Sequence, residues 1–74
     1  MFTIRVYDSK NDRPAVGNKV QVFFDGLLRG NTKTERTNYR GEVDFEYDSG
    51  RGSVHVDGRN VYEGEISGRL TVYI

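Results

Sequence analysis

Apolar and polar residues alternate along several short stretches of this chain. The alternation is clearest in residues 2–7, 20–22 and 43–47, and it returns in residues 54–56 and 70–74. A period of two residues is expected where one face of a β-strand is buried and the other face meets water. No stretch combines apolar residues at helical spacing with capping residues at its ends. The pattern therefore predicts an all-β protein with little or no helix.

Turn-forming residues separate these stretches, and nine glycines are spread along the chain. We expect a long loop at Ser9–Pro14, around the only proline, and further turns at Asp48–Gly52 and Asp57–Asn60. Asp25-Gly26 follows a hydrophobic stretch, and we expect a tight type I′ hairpin turn there because Asp-Gly sequences adopt positive φ readily. This regular spacing of turns is typical of a sandwich or barrel, and it indicates seven or eight strands.

The connection between the last two predicted strands can be analysed by register, on the assumption that the two strands form a hairpin. A two-residue loop at Ser67-Gly68 would place the carboxylates of Glu63 and Glu65 on the core face, which is energetically costly. A three-residue connection, Ser67–Arg69, leaves both carboxylates in water. We therefore predict the three-residue connection.

The inward positions of the alternating stretches form the predicted core. Each large apolar side chain that is fully buried contributes about 1.5–3 kcal/mol before conformational entropy is subtracted, so we expect a modest net stability. The predicted core consists of Phe2, Ile4, Val6, Val20, Val22, Val43, Phe45, Tyr47, Val54, Val56, Leu70 and Val72.

The length of 74 residues predicts a single domain over residues 1–74, too small to enclose a large catalytic cavity. The absence of cysteine excludes disulfide bonds and thiolate metal sites. Lysine plus arginine and aspartate plus glutamate each number 11, so the net charge is zero and does not favour long-range attraction of nucleic acid or anionic membranes.

The longest apolar run is only three residues, Val22–Phe24, whereas a membrane span needs about 18 or more. No stretch resembles the apolar region of a secretory signal peptide. We therefore expect a soluble chain with no signal peptide, no transmembrane segment and no membrane partner. The pattern does not indicate a compartment.

Three stretches resemble a known group of small domains. Arg13–Val22 has a proline-bearing loop, a glycine and an alternating strand, and Thr37–Phe45 has a threonine, a polar turn, a glycine and a strand. The third stretch is Ser53–Gly58. In this order they resemble the transthyretin-like (prealbumin-like) group, which includes the carboxypeptidase regulatory-like domains. The resemblance implies a seven-stranded immunoglobulin-like antiparallel β-sandwich that serves as a structural or adhesion module. A five- or six-stranded SH3-like or OB-like barrel is the alternative.

Catalytic motifs are weak in this sequence. The single histidine, His55, lies between Val54 and Val56 and is expected to be a half-exposed strand residue. No G-x-S-x-G elbow is present, and no spacing brings together a nucleophile, a base and an orienting acid. We therefore predict that the protein is not an enzyme.

Several carboxylates lie in predicted turns, where they could bind calcium: Asp8, Asn11 and Asp12 share one loop, and Asp48 and Asp57 lie at strand ends. The spacing is not that of an EF-hand loop, and Asp and Asn are common turn formers. We therefore predict no metal site and no cofactor.

Residues 29–40 form a locally basic segment that contains one acid, Glu35. Arginine beside a stacking aromatic ring can hold an acidic partner or single-stranded nucleic acid. The segment supplies four cations and one aromatic residue: Arg29, Lys33, Arg36, Arg40 and Tyr39. Because the chain is neutral, we favour a protein partner and keep weak nucleic-acid binding as an alternative.

Tyr7 and Tyr73 alternate with the aliphatic residues of the first and last strands, so we expect their rings on the outer surface. Exposed tyrosines bury a large area at small entropic cost and can bind sugars or proteins. Carbohydrate binding is therefore a second alternative. The predicted binding residues are Arg29, Arg36, Tyr39, Arg40 and Tyr73.

The final stretch, Leu70–Ile74, is a predicted strand of mostly apolar residues. If one edge of this strand is open, it can pair with another chain; the alternative is a shielded central strand. The sequence thus predicts a non-enzymatic structural or protein-interaction module that associates with a protein partner or with itself through a strand edge.

Overall fold

The computed structural model of the chain describes residues 1–26 and 29–74, and in this part it contains β-strands and no helix. The prediction of an all-β fold is therefore confirmed for the described residues. The strands are β1 (Phe2–Asp8), β2 (Arg13–Pro14), β3 (Lys19–Phe24), β4 (Glu35–Arg36), β5 (Glu42–Phe45), β6 (Gly50–Val56), β7 (Arg59–Ile66) and β8 (Arg69–Tyr73).

The strands form two separate sheets. In the first sheet β1 is central: β5 and β2 pair antiparallel with one of its edges, and β8 pairs parallel with the other. The second sheet has the order β4-β3-β6-β7, and its neighbouring strands are all antiparallel. The described strands therefore do not close into a barrel, so the barrel alternative is wrong. The parallel β1–β8 pair also departs from the purely antiparallel prediction.

The inner faces of the two sheets share one apolar core. The Phe2 ring meets the Phe24 ring of the opposite sheet edge to face, with centroids 5.9 Å apart, and lies 5.5 Å from the Phe45 ring. The Phe2–Phe24 contact joins the two layers, whereas Phe2 and Phe45 lie on neighbouring strands of the first sheet. The buried cluster consists of Phe2, Ile4, Val6, Ala15, Val20, Val22, Phe24, Val43, Phe45, Val54, Val56, Ile66 and Val72.

Ten of the twelve predicted core residues are buried, and two are not. Tyr47 is 36% exposed because β5 ends at Phe45, so the alternation of that strand does not continue to residue 47. Leu70 is only partly buried, at the start of β8. The prediction also missed three buried apolar residues: Ala15, Phe24 and Ile66.

The connection at Ser67-Gly68 is not a hairpin, which corrects the register analysis. β7 belongs to the second sheet and β8 to the first, so these residues cross from one layer to the other. Leu70 lies beside Ile4 of β1. Glu63 and Glu65 are exposed, as predicted, although the reason is the orientation of β7 in its own sheet.

The type I′ turn lies at a different Asp-Gly pair from the predicted one. Asp57 and Gly58 have φ values of 51° and 84° and join β6 to β7 as a two-residue turn. At Asp25-Gly26 only the glycine has positive φ, and the chain returns to β3 at Asn31. That reversal is therefore longer than the predicted tight turn, and its residues 27–28 lie outside the described part.

Two other predicted turns are shorter than expected. β6 begins at Gly50, so only the first part of Asp48–Gly52 connects strands. Pro14 belongs to the two-residue strand β2, so the loop after β1 ends before Arg13. An edge strand accommodates proline because no ladder hydrogen bond is needed from its nitrogen.

Candidate functional site

The strand β8 has one open backbone edge among the described residues. The Gly68 carbonyl accepts from Thr3 N–H at 2.8 Å, and Ile74 N–H donates to the Tyr7 carbonyl at 2.9 Å. Because backbone groups alternate in direction along a strand, residues 68, 70, 72 and 74 face β1, and the N–H and C=O groups of Arg69, Thr71 and Tyr73 face away from it.

The chemistry of this edge favours pairing with another strand. Residues 70–74 contain no charge, glycine or proline. Tyr73 is 62% exposed and Ile74 is 41% exposed. Short uncharged segments rich in β-branched and aromatic residues are the ones that add to other strands most readily when an edge is open.

β7, the edge strand of the second sheet, has features that discourage pairing with another strand. Its pairing with β6 is interrupted by a register shift at Val54/His55, and it carries the exposed carboxylates of Glu63 and Glu65. The Tyr62 hydroxyl donates to the Glu65 carbonyl oxygen at 2.8 Å. Bulges, charges and covered backbone groups all discourage edge-to-edge pairing.

The remaining outer strands are short or acidic. β2 and β4 have two residues each, and β5 has four, including Glu42 and Asp44. Among the described strands, β8 is thus the one that combines length, lack of charge after its first residue and an unpaired backbone edge.

The outer face of the first sheet carries two aromatic rings. Tyr7 and Tyr73 lie side by side across β1 and β8, with centroids 6.1 Å apart and planes inclined at 68°. The Tyr7 hydroxyl donates to Asp12 Oδ1 at 2.7 Å, and this hydrogen bond raises the pKa of Tyr7. The inclined planes do not form the flat platform on which a sugar ring would stack across both tyrosines.

Arg5 lies beside this ring pair, opposite Thr71, and forms no ion pair within the described residues. Together with Tyr7, Thr71 and Tyr73 it lines a shallow cleft of about 250 Å³. Its Nε atom is buried and has no hydrogen-bond partner. Glu42, the residue opposite Arg5 on β5, forms an ion pair with Arg69 instead.

The predicted basic residues are separated by different local partners. Both terminal nitrogens of Arg29 donate to backbone carbonyls, of Ser49 at 3.1 Å and of Asp48 at 2.7 Å. The Arg29 guanidinium also lies 4.0 Å from the centroid of the Phe24 ring. Arg29 therefore connects the segment before β6, through its hydrogen bonds, to the core residue Phe24.

Arg36 and the Tyr39-Arg40 pair occupy other positions. Arg36 lies in β4 and donates to the Gly17 carbonyl at 2.8 Å. Tyr39, which is 74% exposed, accepts a hydrogen bond from Arg40 Nε at 3.1 Å in the turn before β5. Of the five predicted binding residues, the hydrogen bonds of the described part join only Tyr39 and Arg40, and Tyr73 lies on β8.

His55 makes a contact that the sequence analysis did not predict. Its Nε2 lies 3.2 Å from Ser53 Oγ, and its ring centroid is 4.5 Å from that of Phe23. The three side chains share the outer face of the second sheet, beside a cleft of about 470 Å³. No carboxylate among the described residues is hydrogen bonded to the imidazole, so the pair lacks the orienting acid of a catalytic triad. The signal for this contact was the two-residue spacing of Ser53 and His55.

The candidate calcium ligands act within turns. Asp8 accepts hydrogen bonds from Asn11 Nδ2 at 2.7 Å and from the Asn11 N–H at 3.2 Å, and these bonds lower the pKa of Asp8. Asp57 accepts from Lys19 N–H at 3.0 Å and from Asn18 Nδ2 at 2.7 Å, which lowers the pKa of Asp57. Within residues 1–26 and 29–74, no group of three or more His, Cys, Asp or Glu side chains is placed to hold a metal ion.

Comparison with known proteins gives no relative for this chain: no protein-family model matches it, and no curated protein is significantly similar to it. In the part of the chain that the structure describes, no helix has the length and apolar character needed to cross a membrane.

Proposed function

We propose that this chain is a non-enzymatic interaction module that pairs with a second copy of itself through the open edge of β8. The observation that carries the proposal is the edge of residues 69–73, whose backbone groups at alternate positions have no strand partner among the described residues. The contrast with the bulged and acidic β7 edge supports the choice of β8.

The backbone geometry specifies how the two copies pair. An antiparallel arrangement with its two-fold axis at Thr71 places Thr71 opposite Thr71 of the second copy and Arg69 opposite Tyr73 of the second copy. These are the residues whose N–H and C=O groups face the open edge, so about six backbone hydrogen bonds form across the axis.

The side chains are compatible with this arrangement. Leu70 faces Val72 of the second copy on the inner side, and the two Thr71 side chains meet on the outer side, where such cross-strand pairs are favourable. Arg69 introduces no like-charge repulsion because its guanidinium is already paired with Glu42. The first sheets of the two copies then form one continuous sheet.

We propose the finer fold as well: a prealbumin-like, immunoglobulin-like sandwich, in keeping with the resemblance of three segments to that group. Those segments lie at β2–β3, at the turn into β5 and at β6. Thr37 of the second segment is buried, and its hydroxyl donates to the Ala15 carbonyl at 2.7 Å and accepts from Asn18 N–H at 3.0 Å. This threonine thus links the first two segments.

The test compares the molar mass of two variants at one position by light scattering over a hundredfold concentration range. Thr71→Pro removes the central N–H of the open edge, which donates nothing within the monomer, and edge positions facing solvent tolerate proline. We expect the parent mass to rise from one copy toward two, and the Thr71→Pro mass to stay at one copy.

Thr71→Ala is the matched control because it removes the side chain and keeps the N–H. We expect it to associate nearly as the parent does. Circular dichroism and thermal melting establish that both variants are folded. A parent mass that stays at one copy throughout, or a folded Thr71→Pro variant that associates like the parent, contradicts the proposal.

A further inference from the structure

We propose that the outer face of the first sheet binds a small carboxylate through Arg5, in the cleft that Arg5 forms with Tyr7, Thr71 and Tyr73. The sequence indicated Tyr7 and Tyr73 as exposed rings and Tyr73 as a binding residue, but it did not indicate Arg5. The site shares Thr71 and Tyr73 with the β8 edge but uses the outer face of the sheet instead of the backbone groups of that edge, so the inference does not rest on self-association.

The first argument is the isolation of the Arg5 guanidinium. No side-chain hydrogen bond or ion pair within the described part of the chain involves it, and its Nε–H is buried without an acceptor. Folded proteins satisfy nearly all buried polar groups, and an uncompensated cation in a partly buried position is costly. A ligand that supplies an acceptor and a negative charge removes this cost.

The second argument is that the two carboxylates of the neighbouring strand β5 are engaged elsewhere. Glu42 lies directly opposite Arg5 in the β1–β5 pair, yet it forms its ion pair with Arg69. Asp44 accepts a hydrogen bond from the Thr3 hydroxyl at 2.6 Å. Both carboxylates therefore have other partners, and the Arg5 guanidinium remains available to an external ligand.

The chemistry of the cleft selects the ligand. A guanidinium offers a planar fork of donors that matches a carboxylate, and one cation suits a singly charged anion better than a doubly charged phosphate. The Tyr7 and Tyr73 rings provide apolar walls, which favour a flat or apolar body beside the carboxylate. The volume of about 250 Å³ admits a ligand of roughly the size of one ring.

The experiment is a titration of the ¹⁵N-labelled protein with benzoate, followed by NMR, at a protein concentration where the chain is monomeric. Benzamide has the same shape without the charge, and acetate has the charge without the ring. We expect saturable shifts centred on Arg5, Tyr7, Thr71 and Tyr73 with benzoate. Binding of benzamide and of acetate should each be weaker by about tenfold or more.

Arg5→Gln should abolish the benzoate response, and Arg5→Lys should weaken it because lysine keeps the charge without the planar fork. Arg51→Gln, which removes an exposed arginine from the second sheet, is the matched control and should bind benzoate as the parent does. The NMR spectrum of each variant reports whether it is folded.

Equal binding of benzamide and benzoate, an undiminished response in Arg5→Gln, or shifts spread over both sheets would each overturn the proposal. The absence of any saturable shift in the parent would do the same. None of these outcomes bears on self-association, which is measured by mass in the absence of benzoate.

Discussion

Gly52 lies directly opposite Gly64 in the β6–β7 pair, and the Phe23 carbonyl oxygen of β3 approaches Gly52 more closely than any Cβ would permit. Within β7, the Tyr62 hydroxyl lies 2.9 Å from the position that a Cβ of Gly64 would occupy. The β6–β7 pair therefore requires glycine at both positions for different reasons: the β3 backbone approaches Gly52, and the Tyr62 ring lies over Gly64 of its own strand.

The first prediction concerns Gly52→Ala. The added methyl group meets the backbone of β3, which cannot move without separating β3 from β6, so we expect a loss of about 1–3 kcal/mol in the free energy of unfolding. Urea denaturation measures it. Arg51→Ala is the control, because it changes the exposed neighbouring residue of β6 without adding an atom near β3. Equal stability losses in the two variants would argue against the close approach.

The second prediction concerns the apolar core between the two sheets. Phe45 is 2% exposed and packs against Phe2. Truncation of a buried phenylalanine to alanine costs about 3–5 kcal/mol, a large share of the stability of a small domain. We expect Phe45→Ala to be largely unfolded or to melt far below the parent, whereas Tyr39→Ala, at an exposed ring, should melt close to it. A parent-like melting temperature for Phe45→Ala would show that Phe45 is not part of the core.

The third prediction concerns acid pH and Asp57. Hydrogen bonds from Lys19 N–H and Asn18 lower the pKa of Asp57 in the folded chain, whereas an unfolded Asp has a pKa of about 3.9. The unfolded chain therefore takes up the proton first as the pH falls. The stabilisation is fully present above the unfolded pKa and is lost as the pH falls through the lower folded pKa.

Asp57→Asn tests this dependence, since an Asn-Gly pair keeps the type I′ turn without the charge. We expect the free energy of unfolding, measured in urea at neutral and at acid pH, to fall less on acidification in Asp57→Asn than in the parent. An identical fall in both proteins would mean that the carboxylate of Asp57 does not contribute to acid sensitivity.

Much of the fold was predictable because burial on one face imposes a period of two residues. The positions of Ile4, Val22 and Val54 in the core follow from that period alone. Phe24 was missed although it continues the alternation of β3, because the exposed residue before it, Phe23, is also apolar and obscures the period of two. Ile66 was missed because glycine and a register shift interrupt the alternation of β7.

The pairing of β8 was not predictable from the same pattern. Alternation states which face of a strand is buried, and it carries no information about which strand lies beside it. The register analysis assumed that neighbouring strands in sequence pair, whereas β8 crosses to the other sheet and runs parallel to β1. The sequence analysis predicted pairing through this strand only if one of its edges is open, and it did not indicate which edge that is.

The partners of the candidate binding residues were likewise not predictable from the sequence. A basic segment is visible in sequence, but the partners of Arg29 and Arg36 are carbonyls supplied by distant turns, at Asp48 and Gly17. The isolation of Arg5 depends on Glu42 reaching Arg69, and that choice exists only once β1, β5 and β8 are side by side. Such charge pairings are decided by tertiary structure and leave no local pattern.

The central claim, that the backbone of β8 is open on one side and closes by pairing with a second copy, is tested most directly by amide hydrogen exchange at two protein concentrations. Val72 N–H faces β1 and should be protected at both concentrations, which makes it an internal reference. Thr71 and Tyr73 N–H should exchange rapidly when the chain is monomeric and become protected when it associates. Rapid exchange of Thr71 in a sample shown to be dimeric, or protection of Thr71 in the monomer, would contradict the account.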